Sequence, residues 1–127
     1  MDDRLGSLIE KGLVLVYNNK IGAARQVLEE GRDIALALGN AELTFSANIL
    51  RAQVIIAEGN HAEAHRQLLQ LLTLARTERE EAAVHFELRN VADNPTTHHL
   101  QALALYQGLY ARTPQFLYRT RLDELEK

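Results

Sequence analysis

Two histidines in the middle of the chain have the spacing of metal ligands. His61 and His65 are four residues apart, which places two imidazoles on the same face of a helix. Glu58 could supply a third ligand if the turn before that helix folded back. The simpler interpretation, which we favour, is two polar side chains at the exposed start of a helix. We keep a small helical metal-binding protein or enzyme, with a site around His61 and His65, as the alternative functional hypothesis.

The other chemically active residues form no recognisable catalytic pattern. His98 and His99 are neighbours and point about 100° apart on a helix. His85 lies among apolar residues, where we expect a packed or capping side chain. The sequence has neither a Gly-x-Ser-x-Gly elbow nor a glycine-rich phosphate loop. We therefore expect a protein that is not an enzyme, with no catalytic residues, no metal and no cofactor.

Composition favours one soluble domain and excludes several classes of partner. Of the 127 residues, 46% are hydrophobic and 24% are charged, which suits a single core. The 17 acidic and 14 basic residues give a net charge of -3, so there is no overall positive field for nucleic acid. The absence of cysteine is compatible with a reducing compartment. The apolar stretches are shorter than the roughly 20 residues of a membrane span. We expect a cytoplasmic protein without nucleic-acid or membrane partners.

Apolar residues recur at three- and four-residue steps along most of the chain, which predicts an all-α fold. We predict helices at about 3–18, 21–38, 41–58, 61–76, 78–91, 96–111 and 114–126. Local signals mark their ends. These signals are Gly39 with Asn40, Gly59, the capping-box pairs Asn60 with Glu63 and Thr77 with Glu80, Pro95 at a first helical position, and Thr113 with Pro114.

The second helices of three successive helical hairpins carry the same pair of residues. In each, a small residue is followed four positions later by a large apolar one. The pairs are Ala24 with Leu28, Ala64 with Leu68, and Ala102 with Tyr106, and Gly12, Ala52 and Asn90 stand twelve residues before the three alanines. A small side chain lets two helices approach closely. The alternative is that an alanine-rich helical bundle produces such matches by chance.

At these residues the sequence resembles the tetratricopeptide repeat (TPR) family, whose repeat is a helix-turn-helix of about 34 residues. The residues that carry the resemblance are Gly12, Ala24, Ala52, Gly59, Ala64, Ala102, Tyr106 and Pro114. The resemblance implies a right-handed α-solenoid of three antiparallel hairpins, at about 5–38, 41–76 and 78–112, with a capping helix at about 114–126, in one domain spanning 1–127. The repeats are longer than the family's period, and only one has the closing proline.

The resemblance also implies a function, that of a protein-protein interaction scaffold. In TPR proteins the first helices of the hairpins line a concave groove. The corresponding residues here are Ile9, Leu13, Val16, Tyr17, Ile49, Gln53, Ile56 and Val91. This apolar lining suits an amphipathic helix or an apolar peptide. The alternative is that these residues are core, in a stack that closes on itself or forms a homodimer. The segments 50–60 and 104–114 are also similar to helical repeats of bacterial signalling and regulatory proteins, so the chain could be part of a longer protein.

Overall fold

The structure, a computed structural model, describes residues 8, 11–12, 14–16 and 18–127. The six described residues before residue 17 are all helical and are referred to together as α1. The helices that follow are α2 (Ile21–Leu38), α3 (Ala41–Ala57), α4 (His61–Leu74), α5 (Glu78–Leu88), α6 (Pro95–Arg112) and α7 (Phe116–Leu125). No strand occurs among the described residues, and the all-α prediction is confirmed. Within this part of the chain, no helix has the length and apolar character needed to cross a membrane.

The boundary between α2 and α3 forms as its residues predict. Gly39 adopts a left-handed conformation with φ of 63°, and its N–H donates to the carbonyl oxygens of Ala35 and Leu36. Asn40 then accepts a hydrogen bond from the backbone N–H of Leu43 at 3.0 Å. A side chain with a Cβ rarely adopts the left-handed conformation, so glycine is the residue that ends α2 at lowest cost.

In each of the two predicted capping boxes, only one of the two reciprocal hydrogen bonds forms. Asn60 accepts from the backbone N–H of Glu63 at 3.3 Å, and Thr77 accepts from that of Glu80 at 3.1 Å. The Glu80 carboxylate, however, accepts from the backbone N–H of Arg76 at 2.9 Å, one residue before the cap. The Glu63 carboxylate binds side chains of its own helix instead. The cap residues were predicted correctly, but the reciprocal bonds of the two glutamates were not.

Three predicted helix ends are corrected. Helix α7 begins at Phe116 after Gln115, so Thr113 and Pro114 lie before the helix and do not open it. Helix α5 ends at Leu88, and Val91 therefore lies in the turn that follows. Helix α4 ends at Leu74, two residues early. Pro95 does occupy the first position of α6, where its missing N–H costs nothing.

Contacts divide the chain into two compact units, Met1–Gln67 and Leu68–Lys127. In the first unit, α2 packs against α3. The core of this unit consists of Ala24, Leu28, Ala47, Leu50 and Val54, with Leu15, Val16 and Ile21 packed against it. Gly12 is buried, and a Cβ added there would lie 2.6 Å from Leu50 Cδ2. The absence of a side chain at Gly12 therefore permits the close approach of α1 to α3.

The second unit packs α6 against both α5 and α7 around an aromatic core. The buried residues of this core are Ala82, Phe86, Ala102, Tyr106, Tyr118, Leu122 and Leu125. Phe86 and Tyr106 meet edge to face, with ring centres 6.2 Å apart. The guanidinium groups of Arg89 and Arg121 lie 4.2 and 4.1 Å from the centre of the Phe86 ring. The contact of Arg121 with Phe86 thus links α7 to α5, whereas Arg89 covers the same ring from the end of α5 itself.

Candidate binding surface

Helix α3 is buried along two of its sides and half-buried elsewhere. Leu50 and Val54 are buried in the core of the first unit, and Phe45, Ala52 and Ile55 are buried on the opposite flank of the helix. Two further sides are half-buried. One carries polar residues such as Asn48 and Arg51, and the other carries Ile49, Gln53 and Ile56. Their spacing of four and three residues places them on one face.

We refer to Ile49, Gln53 and Ile56 as the α3 face. It contains three of the eight residues predicted to line the groove. A fourth, Val16, is half-buried and packs against the core of the first unit. Val91, in the turn after α5, is half-buried in the second unit. Ile9, Leu13 and Tyr17 lie outside the described residues. The structure therefore brings together the α3 part of the predicted lining.

The residues that carry the resemblance to TPR repeats differ in their burial. Those buried within their units are Gly12, Ala24, Ala52, Ala64, Ala102 and Tyr106. Gly59 has φ of 86°, a conformation that favours glycine and ends the turn before α4. Pro114 is exposed in the segment between α6 and α7. The small residues thus occur where helices are tightly packed, whereas the closing proline makes no comparable contribution to a core.

Several large apolar side chains that were not predicted to be at the surface are exposed. In the first unit, Leu36 and Leu38 at the end of α2 are 58% and 53% exposed. In the second, Phe116 is 86% exposed and Leu100 is 58% exposed. For the two leucines of α2, the sequence itself predicts that at least one is exposed. Residues two apart on a helix point about 200° apart, so Leu36 and Leu38 cannot both face one neighbouring helix.

The proposed ligands around His61 do not form a three-ligand group. His61 is exposed at the start of α4, His65 is half-buried, and the Glu58 carboxylate forms an ion pair with Arg25. The nearest other carboxylate in the sequence, Glu63, accepts hydrogen bonds from Arg66 and Gln67, which lower its pKa to about 2. Across the described residues, no group of three or more histidine, aspartate or glutamate side chains is placed to hold a metal ion.

A different pair of histidines does meet, between α5 and α6. His85 Nδ1 and His98 Nδ1 lie 2.9 Å apart, and the two rings meet end to end, with centres separated by 5.2 Å and planes inclined by 29°. Burial lowers the pKa of His85, and the neighbouring His98 lowers it further, while the charge of Glu81 opposes both effects. The packed environment predicted for His85 is present. Its partner was missed because thirteen residues and a helix boundary separate the two positions.

A shallow pocket of about 250 Å³ lies at the start of α6. It is lined by Arg89, Pro95, Thr96, His99 and Leu100. The guanidinium group of Arg89 lies over the Phe86 ring and 3.8 Å from the Glu124 carboxylate. Arg89 is the one permanently charged residue in the lining, and its guanidinium group already contacts Phe86 and Glu124 within the second unit. The pocket therefore offers no unpaired arginine or lysine to an anionic ligand.

Comparison of the chain with family models, with curated proteins and with solved structures gave no match. The resemblance to TPR proteins therefore depends on the residues of this chain alone.

Proposed function

We propose that this protein is a non-enzymatic scaffold for protein-protein interaction, of the TPR type, with a right-handed solenoid of helical hairpins. The α3 face is the part of its groove that contacts the partner, an amphipathic helix or apolar peptide. A bacterial signalling or regulatory assembly is the setting that the similar repeat segments suggest. The observation that carries the proposal is the α3 face, because it leaves two apolar side chains partly exposed on a helix that is otherwise buried on two sides.

The composition of the α3 face suits an apolar helix better than a charged peptide. Two isoleucines flank one glutamine, and none of the three side chains carries a charge. Both isoleucines are already mostly buried, so completing the burial of either contributes at most about 1 kcal/mol, a minor part of the value for a fully exposed side chain. Two such anchors give only modest affinity, so the partner must also contact neighbouring residues. This is the usual arrangement of a few anchors within a larger complementary surface.

Selected peptides provide the test, since the natural partner is not required. Helical peptides are selected from a displayed library for binding to the wild-type protein, and their dissociation constants are then measured for two variants. Ile56→Asp places a charge on the α3 face. Leu100→Asp makes the same kind of change at a 58% exposed leucine of α6 and serves as the control.

The proposal expects Ile56→Asp to weaken binding at least tenfold while circular dichroism shows unchanged helicity. Leu100→Asp should leave the dissociation constants within about twofold. Loss of helicity in Ile56→Asp would show that the residue belongs to the core, and equal binding by all three proteins would place the surface elsewhere. Light scattering decides a further point: a dimer that Ile56→Asp dissociates would identify a second copy of the chain as the occupant of the α3 face.

A further inference from the structure

The contact between His85 and His98 joins α5 to α6 close to the turn that connects them. His85 lies one turn before the end of α5 at Leu88, and His98 lies one turn into α6, which begins at Pro95. The Nδ1 atoms are 2.9 Å apart and the ring centres 5.2 Å apart, so the rings meet end to end. This is the geometry of an N–H···N hydrogen bond between two half-buried side chains. One hydrogen bond between two ionisable groups therefore links the two helices.

This contact can hold one additional proton but not two. When both rings are neutral, one Nδ1 donates and the other Nδ1 accepts. A first proton, added at Nε2 of the donating ring, makes that ring an imidazolium and its hydrogen bond charge-assisted. A second proton must occupy the accepting Nδ1, which leaves two N–H groups and two positive charges opposite each other across 2.9 Å. The doubly charged pair is therefore incompatible with the closed contact, and the two protonation steps belong to the pair.

The surroundings of the pair do not compensate for the second charge. Burial lowers the pKa of His85 and the charge of His98 lowers it further, whereas the charge of Glu81 on α5 raises it. Glu81 is exposed, so water and salt screen its effect. His98 lies near the start of α6, where the helix dipole disfavours a positive charge. The charges of α7, which packs against α6, have other contacts: Arg119 with Asp123, Glu124 with Arg89, and Arg121 with the Phe86 ring.

We propose that His85 and His98 form an acid-sensitive latch, which holds the first two turns of α6 on α5 while the pair carries at most one added proton and releases them when a second proton binds. Asn94 provides no side-chain cap hydrogen bond at the start of α6, so release leaves this end of the helix free to fray. The released segment includes the α6 part of the pocket lining: Pro95, Thr96, His99 and Leu100.

The direction of the pH dependence follows from the number of protons that each form binds. The open form binds two added protons and the closed form at most one, so opening is favoured as pH falls. A solvated histidine titrates near pH 6.5, and below that pH each unit increases the population of the open form about tenfold. Release therefore develops between about pH 6.5 and pH 5.

Hydrogen exchange at single amides of the intact chain, followed by NMR, tests the proposal. Protection factors are measured at pH 7.5 and pH 5.0 for residues 99–102, next to the latch, and for residues 106–109, further along α6. Their ratio separates local release from a change in global stability. His98→Gln removes one titrating ring, and its amide oxygen is able to accept from a protonated His85. His99→Gln removes the neighbouring histidine and is the matched control.

The proposal expects the wild-type protection of residues 99–102 to fall at least tenfold from pH 7.5 to pH 5.0, relative to that of residues 106–109. The same ratio should change less than threefold in His98→Gln, whereas His99→Gln should behave as wild type. The proposal is overturned if the wild-type ratio is independent of pH, or if His98→Gln loses protection as strongly as wild type. If His98→Gln fails to fold, His85→Gln replaces it, with the same expected loss of pH dependence.

Discussion

Adding one methyl group at Gly12 should destabilise the first unit through a single contact. The new Cβ would lie 2.6 Å from Leu50 Cδ2, whereas carbon atoms in contact are normally about 3.5–4.0 Å apart. Leu50 is 1% exposed and is packed among Ala24, Leu28 and Val54, so it has no open space to enter. Gly12→Ala therefore forces either α1 or the Leu50 side chain to move.

The expected magnitude follows from two opposing effects. Overpacking a core costs about 1–3 kcal/mol, while replacing a helical glycine with alanine contributes up to about 1 kcal/mol of stability. The net loss in the free energy of unfolding should be about 0–2 kcal/mol, the difference between these effects. Leu50→Ala alone should cost about 2–5 kcal/mol, because it leaves a cavity. Combining both substitutions removes the clash, so Gly12→Ala should then be neutral or stabilising.

Urea unfolding followed by circular dichroism gives the four free energies of this cycle. Gly22→Ala is the control, since no atom lies within 4 Å of the Cβ it would add, and it should change stability by no more than about 1 kcal/mol in the favourable direction. We expect a coupling of about 1–3 kcal/mol between Gly12→Ala and Leu50→Ala. Additive effects within about 0.5 kcal/mol would refute the close approach of α1 to α3.

Three further outcomes are expected. Asn40→Ala, which removes the cap on the N–H of Leu43, should lower the free energy of unfolding by about 1 kcal/mol, and an unchanged urea midpoint would contradict the cap. Because burial lowers the pKa of His85, the unfolded chain binds more protons below about pH 6.5, so stability should fall as pH drops through that region; His85→Gln should flatten this dependence. Burial raises the pKa of Tyr106 to about 12, so the unfolded chain loses its proton first and stability should fall above about pH 10. An ultraviolet titration of Tyr106→Phe against wild type should show the loss of a phenol that ionises well above pH 10.

Helix boundaries were predictable where one residue decides the backbone conformation. Gly39 ends α2 in a left-handed conformation, and Asn40 and Thr77 cap the helices that follow. These signals act over three or four residues and need no knowledge of distant packing. The start of α7 was misplaced because Pro114 is compatible with a first helical turn but does not require one. The end of α5 was misplaced because no glycine stands at its end.

Side-chain contacts between helices were harder to predict from the sequence than helix boundaries. The pairing of His85 with His98 depends on how α5 and α6 are rotated about their axes. The position of Arg121 over the Phe86 ring depends similarly on where α7 meets α5. Apolar periodicity identifies a buried face to within about one residue in each turn. It cannot specify which polar side chains at the edge of that face will meet across a helix pair.

For a related physical reason, the sequence does not say whether the α3 face is core or surface. Ile49, Gln53 and Ile56 share a helical spacing that is visible in the sequence. Whether such residues are core or surface depends on how many neighbours surround the helix, and α3 is buried on two sides and half-buried elsewhere. Core and groove were both predicted as alternatives for these residues, and the groove remains our proposal.

Amide chemical-shift mapping by NMR tests the central proposal most directly. A helical peptide selected against the wild-type protein is titrated into the isotope-labelled chain, and shift changes are assigned along the sequence. The proposal predicts the largest changes between Ile49 and Ile56, with Leu100 and its neighbours on α6 unaffected. Changes confined to α6 and α7, with α3 unaltered at saturation, would contradict the assignment of the α3 face as the binding surface.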